Sequence, residues 1–190
     1  MTPEQAVSVI HDGDRVVFGH AVGEPIIFQR TMARMAEQFH NVEVAHMVYL
    51  GSGEYLQPGM ESHSVITRCS SAARRASPLP STRGLHPGVL LGRTAYVPRQ
   101  HPAGGRFAFT CSPPDERGYV SLGLSCDYGA QAVKSAKTVI AEVNPNMPRT
   151  YGESFVHVSE IDASCARGSR CPSPSRPGSV RRTAPSASTL

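Results

Sequence analysis

The polar residues with the most chemical promise lie between positions 143 and 153, in the run VNPNMPRTYGE. Asn144 and Asn146 carry amides that both donate and accept, and Arg149 carries a planar fork matched to carboxylates and phosphates. Pro145, Pro148 and Gly152 punctuate the run, so holding it in one shape costs little chain entropy. Such a loop can present an amide, a guanidinium and a glutamate to a polar ligand; the alternative is a rigid turn that caps a sheet. A second group is GHAVGEP at positions 19–25, in which Gly23 and Glu24 precede a helical pattern. Glycines there permit close backbone approach, and the following helix N-terminus favours an anionic or carbonyl group. Asp115 and Glu116 are adjacent carboxylates. Paired carboxylates can exchange protons, but a turn-forming Asp followed by a solvated Glu accounts for them more simply. His46 falls inside a strand pattern, where a packed histidine is commoner than a ligand.

The elements that must position these groups follow from periodicity. Thr2-Pro3-Glu4-Gln5 is a capping box with proline at the first helical position, and its helix extends to about His11. Residues 15–18 read as a short buried strand, followed by the glycine loop and a helix to about Phe39. Residues 41–48 read as a second strand, 107–111 and 119–122 as a third and fourth with a Pro-Pro-Asp turn between them. Residues 129–136 form a short helix, 138–143 a buried strand and 154–158 a further strand. Asn144, Asn146 and Arg149 then sit where a strand stops, the side of an open α/β sheet on which ligands bind.

The formal charge of +4 suggests an anionic partner until its distribution is considered. Between Glu61 and Asp115 there are seven arginines and no acid, and after Asp162 five more arginines and no acid. The remainder holds 7 basic residues against 15 acidic ones, so the chain is an acidic protein with two basic, Pro/Ser/Arg-rich segments. Five cysteines without a C-x-x-C pair fit a reducing compartment. No apolar run approaches membrane length and nothing resembles a signal peptide, which predicts a cytoplasmic protein without a membrane partner.

EVNPNMPRTYGESFVHVSEID at 142–162 resembles the acetyl-CoA hydrolase/transferase family, most closely its 4-hydroxybutyrate and butyrate CoA-transferase branch. GDRVVFGHAVGEP at 13–25, the G-x-G-E-Y run at 51–55 and SPPDERGY at 112–119 resemble the same family, with Arg117 where histidine is usual. The resemblance spans roughly residues 1–67 and 107–162. It implies an α/β fold: an open, mostly parallel sheet with flanking helices, like the N-terminal domain of a two-domain CoA-transferase. Residues 1–162 are assigned to that domain and 163–190 to a disordered basic tail.

Residues 68–106 have no sustained helical or strand period, and a disordered linker is one reading. Back-translation offers another. Read from the third base of each codon, residues 68–75 permit Leu-Phe-Val-Gly-Gly-Ala-Thr-Arg; read from the second base, 84–97 permit Asp-Tyr-Thr-Pro-Val-Phe-Phe-Ser-Asp-Val-Pro-Arg-Met-Phe. Both strings resemble the family at these positions, which predicts that 68–106 is translated out of frame. A shorter match at 163–166, Phe-Val-Arg-Glu, suggests a second frame loss.

The resemblance implies movement of CoA between an acyl-CoA and a short-chain carboxylate such as acetate, butyrate or 4-hydroxybutyrate. A glutamate attacks the thioester and a glutamyl-CoA thioester follows. That glutamate lies in the family's C-terminal domain, and none in this chain matches its motif, so no catalytic residue is assigned. Gly23, Glu24, Asn144, Asn146 and Arg149 are the substrate-side candidates. No cofactor or metal is expected beyond the CoA thioester as substrate, and a homo-oligomer is expected of the intact enzyme. The alternatives are an inactive remnant of such an enzyme, or a nucleic-acid-binding protein with basic arms. The arms lack the interleaved aromatics that stack on bases, which weighs against the last.

Overall fold

The computed structural model describes residues 1–46, 50–51, 53–56, 66–69 and 105–167; of His46, Leu56 and residues 66–69 it describes the backbone alone. Most of the segment read as out of frame, and the tail beyond residue 167, lie outside the described residues, as does the side chain of His46.

Among the described residues, six strands form one sheet: β1 (Arg15–Phe18), β2 (Glu43–His46), β3 (Ile66–Cys69), β4 (Arg106–Cys111), β6 (Thr138–Val143) and β8 (Ala163–Ala166). Their order is β3-β2-β1-β4-β6-β8, and every pairing is parallel. Two further strands, β5 (Tyr119–Ser121) and β7 (Phe155–His157), pair antiparallel outside that sheet. The open, mostly parallel α/β sheet expected from the sequence is therefore present.

Side-chain alternation sorts the core into two layers. Val16 and Phe18 of β1, Ala108 of β4 and Ile140 of β6 pack beneath α1 (Pro3–Val7) and α2 (Ile26–Arg34). Val17, Phe107, Phe109, Val139 and Ala141 pack on the other face with Val120, Val156 and α3 (Gly129–Ser135). The strands are buried on both faces, as a parallel sheet requires. Phe107 and Phe109 stack at 5.2 Å between ring centroids.

The capping box forms as read: Thr2 Oγ1 accepts from Gln5 N, and Gln5 Oε1 accepts from Thr2 N. The helix stops at Val7 rather than near His11. His11 N and Gly13 N are drawn instead to Asp14 and to the His40 carbonyl, which turns the chain into β1. The sheet also runs past the boundary read at Asp162. Ala163–Ala166 pairs with β6 as an edge strand, with Ala163 and Cys165 buried. Its small side chains fit beneath α1, and the Met1 ammonium donates to the Ser164 carbonyl at 3.1 Å. Residues 163–166, read from the sequence as the start of the tail, therefore belong to the sheet.

At the opposite end of the sheet, Arg106 is buried and its Nε donates to Asp14 Oδ2 at 2.5 Å while Nη1 donates to Thr138 Oγ1 at 2.9 Å. This clamp ties the amino ends of β1, β4 and β6 together. No described helix is long and apolar enough to cross a membrane.

Candidate functional site

The strand order places a topological switch between β1 and β4. From β1 the chain builds outward through β2 and β3; from β4 it builds the other way through β6 and β8. The connection leaving β1 passes through α2 on one face, and the connection leaving β4 passes through α3 on the other. Loops that diverge in this way open a crevice at the strands' carboxyl ends, where ligands of open α/β sheets bind.

The residues ending β4 gather three of the five candidates. Thr110 Oγ1 donates to the Glu24 carbonyl at 2.6 Å, the Cys111 carbonyl accepts from Asn144 N at 2.8 Å, and Ser112 Oγ accepts from Arg149 Nη1 at 3.3 Å. Gly23 stands against the 125 position, where an added Cβ would meet Ser125 Cβ at 3.0 Å. Asn146 is exposed on the turn that follows Asn144, its N–H donating to Asn144 Oδ1.

Their chemistry divides. Glu24 is buried, and its carboxylate accepts from Gln29 Nε2 at 3.0 Å, Leu50 N at 2.8 Å and Gly51 N at 2.9 Å. It thereby braces the loop after β2. Arg149 gives Nη1 to the Pro113 and Tyr119 carbonyls and Nη2 to Asp115 at 2.9 Å, and stacks over the Phe155 ring. It locks the Pro-Pro-Asp turn. Asp115 is a turn former as well: it accepts from Tyr119 N and Arg117 N. The Tyr119 bond leads in holding its pKa below the ordinary value, followed after an opposing desolvation effect by the Arg117 N–H and Arg149. Asn144 spends its side-chain oxygen on Asn146, which leaves its amide nitrogen without a hydrogen-bond partner among the described residues.

The anion expected at the N-terminus of α2 is supplied by the protein itself. Glu142 of β6 is fully buried, and its Oε2 accepts from Ile27 N at 2.8 Å and Phe28 N at 3.1 Å. Burial raises the pKa of this carboxyl; the two helix N–H groups and then Arg167 pull it down. Its Oε1 has no hydrogen bond, the nearest cation being Arg167 Nε at 3.9 Å.

One pair in the crevice was not singled out from the sequence. His20, the second residue after β1, places Nδ1 2.5 Å from Asp127 Oδ2. Asp127 Oδ2 is buried and, close as His20 lies, makes no hydrogen bond. Ser125 Oγ donates to the His20 carbonyl, and Tyr128 lies beside the imidazole with its hydroxyl on the Phe18 carbonyl at 2.6 Å. A histidine flanked by glycine at a strand's carboxyl end was the available signal; its partner lies 107 positions away, beyond the reach of spacing arguments.

An open parallel sheet with such a switch point is the architecture of a ligand-binding α/β domain. Residues 107–167 match the family model for the acetyl-CoA hydrolase/transferase N-terminal domain. A 4-hydroxybutyrate coenzyme A transferase of Clostridium kluyveri is 39% identical over 170 residues, covering 85% of this chain and 38% of its own length. A butyryl-CoA:acetate CoA-transferase of Anaerostipes caccae is 26% identical, covering 85% of this chain and 37% of its own length. Among solved structures, a 4-hydroxybutyrate CoA-transferase of Porphyromonas gingivalis superposes with a TM-score of 0.68 at 31% identity, over 87% of this chain and 38% of that one. RipA of Yersinia pestis shares the fold, with a TM-score of 0.72 at 24% identity over 97% of this chain and 45% of that one. The family resemblance read from the sequence is borne out, and the homologues are CoA-transferases. The chain spans less than two-fifths of the length of these curated relatives.

Proposed function

We propose that this chain is the N-terminal part of a CoA-transferase that moves CoA between an acyl-CoA and a short-chain carboxylate. The observation that carries the reading is the 39% identity to a 4-hydroxybutyrate coenzyme A transferase on a domain whose sheet opens a switch-point crevice. The covalent step, attack of a glutamate on the thioester to give a glutamyl-CoA thioester, is assigned to a glutamate outside this chain. Within it, Asn144 and Asn146 are the substrate-side amides, and Gly23, Glu24 and Arg149 fix the loops that shape the crevice. The working enzyme is a cytoplasmic homo-oligomer and needs no cofactor besides its CoA substrate. Residues 68–106 are translated out of frame relative to the family.

Two steps test this. The gene is resequenced through the codons for residues 68–106 and onward past 162, and the product of the corrected frame is assayed. With acetyl-CoA and butyrate or 4-hydroxybutyrate, mass spectrometry should show the new acyl-CoA, and with acyl-CoA alone a protein–CoA adduct. Absence of both from the corrected product overturns the reading. Turnover by the 190-residue chain on its own would refute the placement of the nucleophile.

A further inference from the structure

We infer that the outer edge of β7 is a pairing site for β7 of a second copy of this chain, giving a two-fold dimer. Its ribbons would join into one antiparallel sheet in the order β5-β7-β7-β5. The inference concerns the ribbon alone and holds whatever reaction the chain serves. Leu122 N donates to the Ser154 carbonyl and Val158 N to the Gly118 carbonyl. Bonded and non-bonded residue pairs alternate along an antiparallel ladder. Val120 and Val156 are therefore a bonded pair, whereas Tyr119 with His157 and Ser121 with Phe155 are not. The N–H and C=O groups of Phe155 and His157 thus point away from β5, and none of these four has a hydrogen-bond partner among the described residues. The outer edge of β5, by contrast, is closed. Asp115 N and Ser112 N donate to the Tyr119 and Ser121 carbonyls, and Tyr119 N and Ser121 N donate to Asp115 Oδ1 and Ser112 Oγ.

The edge is complementary to itself. A two-fold axis through Val156 sets Phe155 of each copy opposite His157 of the other, and each such pair exchanges two N–H···O=C bonds. All four outward groups of each strand are then used; a register shifted by two residues leaves some of them facing residues outside the strand. The side chains agree. Phe155 and His157 share one face of the ribbon with Tyr119, Phe155 36% exposed and His157 half-buried. Each pairing lays a phenyl ring beside an imidazole, a cross-strand contact of the kind that stabilises sheets. Tyr151, 94% exposed, stands beside the same edge with its ring 6.4 Å from that of Phe155. Carried outward, the register puts Glu153 opposite Ser159 of the second copy and Glu160 opposite its Gly152, so no like charges face each other. Phe-Val-His also lacks the lysine or proline with which edge strands block such pairing. β8, an edge of the large sheet, offers Ala-Ser-Cys-Ala, with no large side chain to pack across a pairing.

The test is sedimentation equilibrium of the whole chain over a dilution series from submillimolar to micromolar concentration. A monomer–dimer equilibrium is expected, without larger species, because an isologous pairing closes on itself. Phe155→Lys puts a charge on the edge and should raise the dissociation constant roughly tenfold or more, the scale of two lost cross-strand aromatic pairs; circular dichroism checks that it folds. The register is read separately. Chains carrying Phe155→Cys are mixed with chains carrying His157→Cys and oxidised, and mass spectrometry locates the disulfides. A bonded antiparallel pair holds its Cα atoms about 5.5 Å apart, within disulfide range, so position 155 of one chain should bridge to 157 of the other. Either variant alone sets its substituted positions diagonally, about 7–8 Å apart, and should not bridge through them. A wild-type chain that stays monomeric, species larger than the dimer, or a dimer without the 155-to-157 bridge overturns the inference. So does a folded Phe155→Lys chain that dimerises as wild type does; if that variant misfolds, the bridge alone decides. CoA transfer by the corrected product, or its absence, leaves this outcome unchanged.

Discussion

Glu142 offers the sharpest test of how this domain is held together. Replacing it with alanine strips two helix N–H groups of their acceptor, that of Phe28 buried and that of Ile27 part-buried. A buried donor left unsatisfied costs about 1–3 kcal/mol. Two of them, less the relief of no longer burying a carboxylate, give a net loss of about 2–4 kcal/mol. That is a large share of the roughly 5–15 kcal/mol of a typical domain. Glutamine keeps a carbonyl oxygen for both N–H groups and places its NH2 where Oε1 has no hydrogen-bond partner. It should fall within about 1 kcal/mol of wild type, since a lost charge-assisted bond and an unsatisfied amide are set against the removal of a buried charge. The dependence on pH has a definite sign. The folded-state pKa is raised above its model value of 4.5, so the folded protein holds this proton more tightly than the unfolded chain. Stability from this group is greatest below about pH 4.5 and falls as pH rises through the raised value; Glu142→Gln has no such slope. Urea melts of the three proteins at pH 5 and pH 8 read both effects. Equal destabilisation by Ala and Gln, or a Gln-to-wild-type gap that ignores pH, would refute the reasoning.

Two further substitutions probe the crevice. Arg149→Ala removes four bonds that lock the turn at 112–119, on a side chain 37% exposed; urea titration should show a loss of about 1–3 kcal/mol, and a change under about 0.5 kcal/mol would mean the fork is not a brace. Gly19→Ala places a Cβ 2.2 Å from the Gly23 carbonyl oxygen, a backbone atom that cannot yield locally. The loop carrying His20 must then move, so a lowered melting temperature is expected, and a wild-type melt would contradict the close approach.

The sequence carried much of the scaffold because the scaffold depends on local signals. Val16-Val17-Phe18 and the run at 138–143 read as buried strands because a parallel sheet is apolar on both faces. The capping box at Thr2 and Gln5 was legible because both partners lie within one turn. The site was harder to read, since its bonds join distant residues. Arg149 and Glu24 have the residue types of ligand binders, and only their partners at 112–119 and 50–51 show them bracing loops. Glu142 left a trace, interrupting an apolar strand at the same parity as Ile140, but only the fold shows that this face meets α2. His20 was visible but unremarkable until Asp127 stood beside it. The strand at 163–166 escaped notice because Ala-Ser-Cys-Ala has little apolar mass, and its burial depends on α1 and the amino terminus.

The sheet's strand order also bears on assembly. The strand pairing of residues 1–69 with 105–167 runs along one line, where Val16, Val17 and Phe18 lie beside Arg106, Phe107 and Ala108, and α1 and α2 pack across it onto β4, β6 and β8. That seam joins positions 90 apart, so its closure is among the slowest contacts the chain can form, and the crevice with its histidine comes into being only as the seam closes. The described contacts do not require a continuous backbone between the two halves. Two polypeptides cut within 70–104 retain every interaction described above, and docking them would rebuild the crevice by association in place of loop closure, with the linker's contribution reduced to an effective concentration.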